Sequence, residues 1–185
     1  INKMVNNILK VIFFFLAILF AFLLYRSIKG EIEYRAEVDR VEELVIGKLE
    51  KIREAELAYK DVKGEFTGDY DTLINFIKTG KLKILVEYGD KDDSTSVFRQ
   101  EVEEVSILDS MFSDFNVDSI AFVPPSDTAK FVLLASRVIQ GNVEVPVFQV
   151  TDPWPFDKQR ANPNHPKKAL QVGSISEASY SGNWK

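Results

Sequence analysis

The chain has 185 residues, with 23 Lys and Arg against 28 Asp and Glu for a net charge of −5, and no cysteine. Without cysteine there are no disulfides, thiolate nucleophiles or Cys-ligated zinc or iron–sulfur sites. Residues 1–30 hold Lys3, Lys10, Arg26 and Lys29 and no acid, so they carry +4 and the rest carries −9. An acidic remainder argues against nucleic acid as a partner, because phosphate binding rests on clustered Lys and Arg. An initiator Met is rarely removed before a residue as large as Ile1, so the natural start is expected a few residues upstream.

In chain order, the first feature is an unbroken apolar run, VIFFFLAILFAFLLY, from Val11 to Tyr25. With Ile8 and Leu9 around Lys10 it reaches roughly 27 Å of helix, enough to span a bilayer. Lys10 can lay its aliphatic stem in hydrocarbon and its ammonium at the interface, and Tyr25 and Arg26 suit the opposite interface. No small-residue cleavage site follows at Tyr25-Arg26-Ser27-Ile28-Lys29, so the expectation is an uncleaved anchor over residues 1–30 rather than a signal peptide. Charge counting leaves orientation open: Arg26, Lys29, Arg35 and Arg40 follow the run, and long domains translocate largely regardless of charge.

Residues 31–63 are rich in Glu, Lys, Arg, Ala and Leu and contain no Pro, which predicts a long amphipathic helix, in part a stalk. Val38, Val41, Val45, Leu49, Ile52, Ala55, Tyr59 and Val62 recur at steps of three and four and form one apolar stripe. Either the stripe packs on the chain's own domain, or its upper part (Val38, Val41, Val45 and Leu49) meets a partner helix. Glu31 with Arg35 and Glu56 with Lys60 are favourable pairs four apart. Gly47 interrupts the helix at about 1 kcal/mol relative to Ala.

Residues 64–185 read as an α+β domain. Gly64 to Gly68 is a turn, and Asp69 or Asp71 caps a short helix holding Leu73, Ile74, Phe76 and Ile77, ended by Gly80. Strands are predicted at Leu82–Tyr88, Val97–Ser106, Ser119–Val123, Lys130–Ile139, Val143–Val150 and Ala169–Val172, with a short helix in Leu108–Phe115. Gly89 to Ser94 reads as an exposed loop, and Gln140-Gly141-Asn142 as a hairpin connection. Residues 151–168, with Pro153, Pro155, Pro163 and Pro166, are expected to make an irregular excursion. The predicted architecture is an N-terminal transmembrane helix continuing into a long amphipathic helix packed on a mostly antiparallel sheet.

Candidate chemistry is sparse. The one histidine, His165, lies in Asn-Pro-Asn-His-Pro and lacks an orienting partner for catalysis or metal binding. Asp90, Asp92, Asp93 and Ser94 lack the Gly and bidentate Glu of a calcium loop. No nucleophile elbow, zinc-protease, phosphate-loop or dinucleotide fingerprint occurs. The expectation is therefore no enzyme, no catalytic or metal residues and no cofactor. Residues 11–25 hold no ionisable group, so in an ion-driven machine this chain would be the partner and not the ion carrier.

Beyond the apolar run, the stretches IREAELAYKDVKGEFTGDYDTLINFIKTGKL (52–82), ILDSMFSDFNVDSIAFVPPSD (107–127), VEVPVFQV (143–150) and LQVGSISEASYSGNWK (170–185) resemble a family of single-pass inner-membrane proteins of Bacteroidota. Family members carry more Asn and Ala before the terminal Gly-Asn-Trp, where this chain has Ser179, Tyr180 and Ser181. The resemblance implies an envelope subunit in the bacterial inner membrane with its domain in the periplasm. It also implies association with the ExbB and ExbD proton-channel components of the TonB energising system, and it carries over no catalytic residue. A partial likeness to type IV pilins lies in the apolar helix, the amphipathic helix and the Tyr59–Phe66 turn, but no cleavage Gly precedes the apolar run and no Glu lies near its start.

The leading expectation is a non-catalytic scaffold subunit of an ExbB/ExbD/TonB-type proton-driven complex. Its partners would be the lipid bilayer and ExbB- or ExbD-like subunits, and Phe13, Phe14, Phe15, Phe20 and Phe22 would pack on other membrane helices or on lipid. The alternatives are a pilin-like fibre component and a solitary tethered ligand-binding domain.

Overall fold

A computed structural model describes residues 2–88 and 99–184. They fall into two compact units divided between Glu42 and Glu43. The division lies inside helix α1 (Asn2–Lys63). Residues 43–63, expected as part of a separate long-helix segment, therefore belong to the compact C-terminal unit, whose core they help to fill.

In the N-terminal unit α1 is held by its own backbone and by exposed ion pairs three and four residues apart: Arg35 with Glu31 at 3.0 Å, Arg40 with Glu37 at 2.7 Å and Lys29 with Glu33 at 3.7 Å. Such pairs add only a few tenths of a kcal/mol each, about 0.2–0.5. The apolar window has a mean hydropathy of 2.4 and none of it is buried. Val38 and Val41 are buried.

The C-terminal unit begins with the rest of α1, whose Val45, Leu49, Ile52 and Ala55 are buried at the predicted helical spacing. Helix α2 (Tyr70–Thr79) starts where Asp69 accepts the Thr72 N–H at 2.8 Å, and buries Leu73, Phe76 and Ile77. Gly80 ends it because space, not backbone angle, forbids a side chain: a Cβ there would stand 2.5 Å from the Phe76 carbonyl oxygen.

Among the described residues the strands form two antiparallel sheets, not the single sheet expected. The first pairs β1 (Lys81–Tyr88) with β2 (Arg99–Ser106), Lys81 opposite Ser106 and Tyr88 opposite Arg99. This register sets Glu101, Glu103 and Arg99 on one face and Lys81, Lys83 and Glu104 on the other. Neither face can be buried whole, and Ile84, Leu85 and Val102 remain exposed. The Tyr88 hydroxyl donates to Glu103, and Arg99 lies 5.0 Å over the Tyr88 ring. The expected Gly89–Ser94 loop, with the rejected calcium motif, and residues 97 and 98 lie outside the described residues.

The second sheet has the order β3 (Val132–Gln140), β4 (Val143–Thr151), β5 (Gln171–Gly173). Gly141 turns the β3–β4 hairpin at φ +64°, first of the two loop residues, as a primed turn requires. Val147, Phe148 and Val150 of the central strand are fully buried on both faces of the sheet. Between the sheets, α3 (Ile107–Met111) is capped by the Ser106 hydroxyl.

Ser119–Val123, predicted as a strand, is not one. The Asn116 side chain caps a single 3-10 turn at Val117–Ser119, and the Ile120 and Phe122 N–H groups bond back to the Val117 and Ser119 carbonyls. Ile120, Ala121 and Val123 are buried, and a short apolar run does not by itself distinguish strand from turn. β5 also sits two residues later at its start than predicted, while Leu170 just before it is buried.

Candidate functional site

Phe13, Phe14, Phe15, Phe20 and Phe22 are all exposed, at 56–65%. At roughly 100° per residue, Phe13 and Phe20 share one side of α1 and Phe15 and Phe22 the opposite side, with Phe14 between. The rings thus surround the helix and form no single packing seam. Val38, Val41, Val45 and Leu49, the partner-helix candidates, are 6%, 1%, 2% and 0% exposed. Val45 and Leu49 are buried within the C-terminal unit.

The C-terminal unit carries a groove of about 530 Å³ beside Gly47. Glu43, Leu44, Gly47, Lys48 and Lys51 lie three, four and one residues apart and so share one side of α1; Phe115 and Pro124–Asp127 face them. Around Gly47 no atom stands within 4 Å of where a Cβ would be, so the residue that weakens the helix also opens the groove. The opposite wall is fixed by its own backbone: Val123 and Ala129 pair, and the Ser126 hydroxyl accepts the Thr128 and Ala129 N–H groups.

Lys48 braces the two walls. Its ammonium donates to the Ser119 carbonyl at 2.8 Å and the Phe122 carbonyl at 2.9 Å. Burial lowers its pKa, opposed by the negative charge of Asp127. Replacing it with Met leaves both carbonyls without their charged donor, and the expected loss is about 1–3 kcal/mol in urea unfolding. A loss below about 0.5 kcal/mol, the range of ordinary surface changes, would show that the brace contributes nothing.

A second polar feature lies in the core. Glu56, expected to pair with Lys60, is instead fully buried, and its Oε2 accepts the Thr67 N–H at 3.0 Å. Its Oε1 and the Tyr70 hydroxyl are buried with no hydrogen-bond partner among the described residues. Desolvation pushes Glu56 up to about 8, against the Thr67 bond, which lowers it. Burial and then the charge of Glu56 push Tyr70 well above the usual range. Lys60 lies 5.1 Å over the Tyr180 ring and 5.5 Å over Phe66.

The Pro-rich excursion is irregular as predicted, apart from the short α4 (Lys158–Ala161), and two buried carboxylates hold it. Asp152 accepts the Trp154 N–H at 2.9 Å; Asp157 accepts the Gln159 N–H at 2.9 Å and the Lys167 ammonium at 2.8 Å. Burial works to raise the pKa of Asp157, but the Lys167 and Gln159 bonds outweigh it and hold the carboxyl below its usual range. His165 Nδ1 accepts the Lys167 N–H at 3.1 Å, a local turn bond. Among the described residues, no three acidic or histidine side chains stand close enough to hold a metal.

Neither the groove nor the buried Glu56 was found from sequence. Gly47 and Pro124-Pro125 were visible signals for the groove, but only the fold brings them opposite each other. What these features define is an α+β domain joined to a long apolar N-terminal helix. Compared with models of known protein families, with curated proteins and with solved structures, the chain shows no match.

Proposed function

We propose that this protein is a single-pass membrane protein whose α+β domain serves as a non-catalytic docking subunit. The observation that carries this reading is the run Val11–Tyr25, in which every side chain is exposed. Soluble proteins rarely expose a contiguous apolar surface of more than a few hundred Å², and a helix apolar on all sides belongs in lipid or in a core. The finer reading is an inner-membrane accessory subunit of an ExbB/ExbD/TonB-type complex with its domain in the periplasm. The resemblance of residues 52–82 and the other matching stretches supports it, as does an apolar run without an ionisable group.

Membranes washed with alkaline carbonate test the anchor. The full chain is expected in the pellet, and Phe15→Arg with Leu19→Arg is expected to shift it to the supernatant, because each central Arg costs about 2.5–3.5 kcal/mol. Release of the unaltered chain would end the membrane reading. Copurification from detergent tests the partner: recovery without ExbB- or ExbD-like proteins removes that assignment and leaves the anchor standing.

A pilin-like fibre component is the second reading, favoured by one observation. A single uninterrupted helix carries both the apolar run and the buried stripe. It predicts a shortened N-terminus by mass spectrometry and filaments by electron microscopy; an intact apolar run in the mature chain argues against it.

A further inference from the structure

Glu56 meets water when the whole chain unfolds, and the structure contains a nearer route. The Glu56 carboxyl is covered by one short turn, in which Phe66 and Thr67 are buried while Gly64, Glu65 and Gly68 around them are exposed. Gly64 stands at φ +84°, and glycine backbone at such a place turns at little cost. The Glu56 Oε2 accepts the Thr67 N–H at 3.0 Å, and the Thr67 hydroxyl accepts the N–H of Asp69, the cap of α2, at 3.2 Å. Inside the core the other carboxyl oxygen and the Tyr70 hydroxyl have no hydrogen-bond partner among the described residues.

Phe66 ties the same turn to the C-terminal tail. Its ring centre lies 4.8 Å from that of Phe148 and 5.3 Å from that of Tyr180, and Tyr180 stacks on Phe148. Lys60 holds Tyr180 from α1, donating to its hydroxyl at 3.3 Å, and that hydroxyl donates to the Pro146 carbonyl at 3.3 Å. Lys60 also stands four residues after Glu56, the favourable order for an ion pair on a helix. The other titratable groups on the neighbouring elements are engaged elsewhere: Arg53 with Glu50 at 3.7 Å, Glu65 with Arg137 at 3.4 Å, Asp69 with Thr72, and Tyr59 against the Phe76 ring. No cation among the described residues offsets a charge on Glu56 while it is inside.

We propose that Glu56 is a proton-controlled latch on this turn and on the C-terminal tail: neutral, it stays in the core and holds Thr67; ionised, it swings past the opened turn to Lys60, which lets go of Tyr180. The device lies within the C-terminal unit and is independent of the membrane reading. The closed form keeps its proton up to about pH 8, whereas an exposed carboxyl loses it near 4.5. The open form therefore binds fewer protons and gains as pH rises, and its equilibrium constant is about a hundredfold larger at pH 9 than at pH 6.

Native-state hydrogen exchange of the full chain in detergent, corrected for the intrinsic effect of pH, tests this. The reporters are the Thr67 amide in the turn and the Gly173 amide, which donates to Ser181 O of the tail at 3.0 Å. Their protection is expected to fall about a hundredfold from pH 6 to pH 9 and to ignore urea below the unfolding range, because a local opening exposes little surface. The Leu49 amide, in the buried part of α1, reports global unfolding, and its protection is expected to fall with urea. In Glu56→Gln, which keeps an oxygen for Thr67 and does not ionise, both reporters are expected to be equally protected at the two pH values. Lys60→Met is expected to speed Gly173 exchange at pH 6 about threefold or more, as loss of one hydrogen bond does, and to leave the pH response of Thr67 in place. A hundredfold fall that persists in Glu56→Gln, no fall in the unaltered chain, or reporters that follow the urea dependence of Leu49 overturn the latch. Unchanged Gly173 exchange in Lys60→Met overturns its link to the tail.

Discussion

Raising the pH from 6 to 9 is expected to lower the thermal midpoint of this protein by roughly 10 °C or more, and Glu56→Gln is expected to abolish most of that fall. The cause is a carboxyl group with no exposure to water, held by one N–H and with its second oxygen unpartnered among the described residues. Burial raises its pKa in the folded chain to about 8 from the ordinary 4.5. The unfolded chain therefore loses its proton first. Stability from this group is fully present below about pH 4.5, falls as pH rises, and is gone above about pH 8.

At about 1.4 kcal/mol for each pH unit between the two values, the whole effect approaches about 5 kcal/mol, which is large against a typical domain stability of about 5–15 kcal/mol. Gln keeps the oxygen that accepts the Thr67 N–H and cannot ionise. Its midpoint should lie above that of the unaltered chain at pH 9 and change little with pH. Equal pH slopes for the two proteins would mean that Glu56 reaches water in the folded state.

The same substitution, Gly to Ala, is expected to have opposite effects at two positions. At Gly173 the backbone sits at φ +73°, and a Cβ would stand 2.3 Å from the Phe148 carbonyl oxygen. That oxygen belongs to the central strand, next to the Gln149–Gly173 pairing, so it cannot retreat without opening the β4–β5 edge. The left-handed backbone costs an L-residue about 1–2 kcal/mol, and the clash adds to it, so a total loss of at least about 3 kcal/mol is expected. At Gly47 there is open space and helical backbone, so Ala should gain up to about 1 kcal/mol. Urea unfolding of both variants checks this, and a stabilised Gly173→Ala would remove the steric account of that edge.

The local signals for much of the fold were strong. The three-and-four spacing of Val45, Leu49, Ile52 and Ala55 matches the stripe that is buried. Asp69 and Gly80 bound α2 where predicted, and Gly141 turns the β3–β4 hairpin. These features depend on neighbours a few residues away, and their rules are backbone angle, capping and period. Ser119–Val123 is not a strand for the converse reason: Ile120, Ala121 and Val123 are buried, but the Ile120 N–H bonds back into the Asn116-capped turn while the Val123 N–H bonds forward to Ala129.

Glu56 shows the limit best. By spacing it can pair with Lys60, four residues on, yet it also stands seven after Leu49, four after Ile52 and three before Tyr59, on the apolar stripe, where Glu50 and Glu54 do not. The Phe66–Thr67 turn folding over it converts a surface carboxylate into a buried one. Composition and spacing by themselves determined the apolar run, the long helix, its inward stripe and the β3–β4 hairpin, because each is set by residues close in sequence. Tertiary structure alone decided the split into two sheets, the Gly47 groove and the state of Glu56, because burial, charge and space at those places come from residues far apart in the chain.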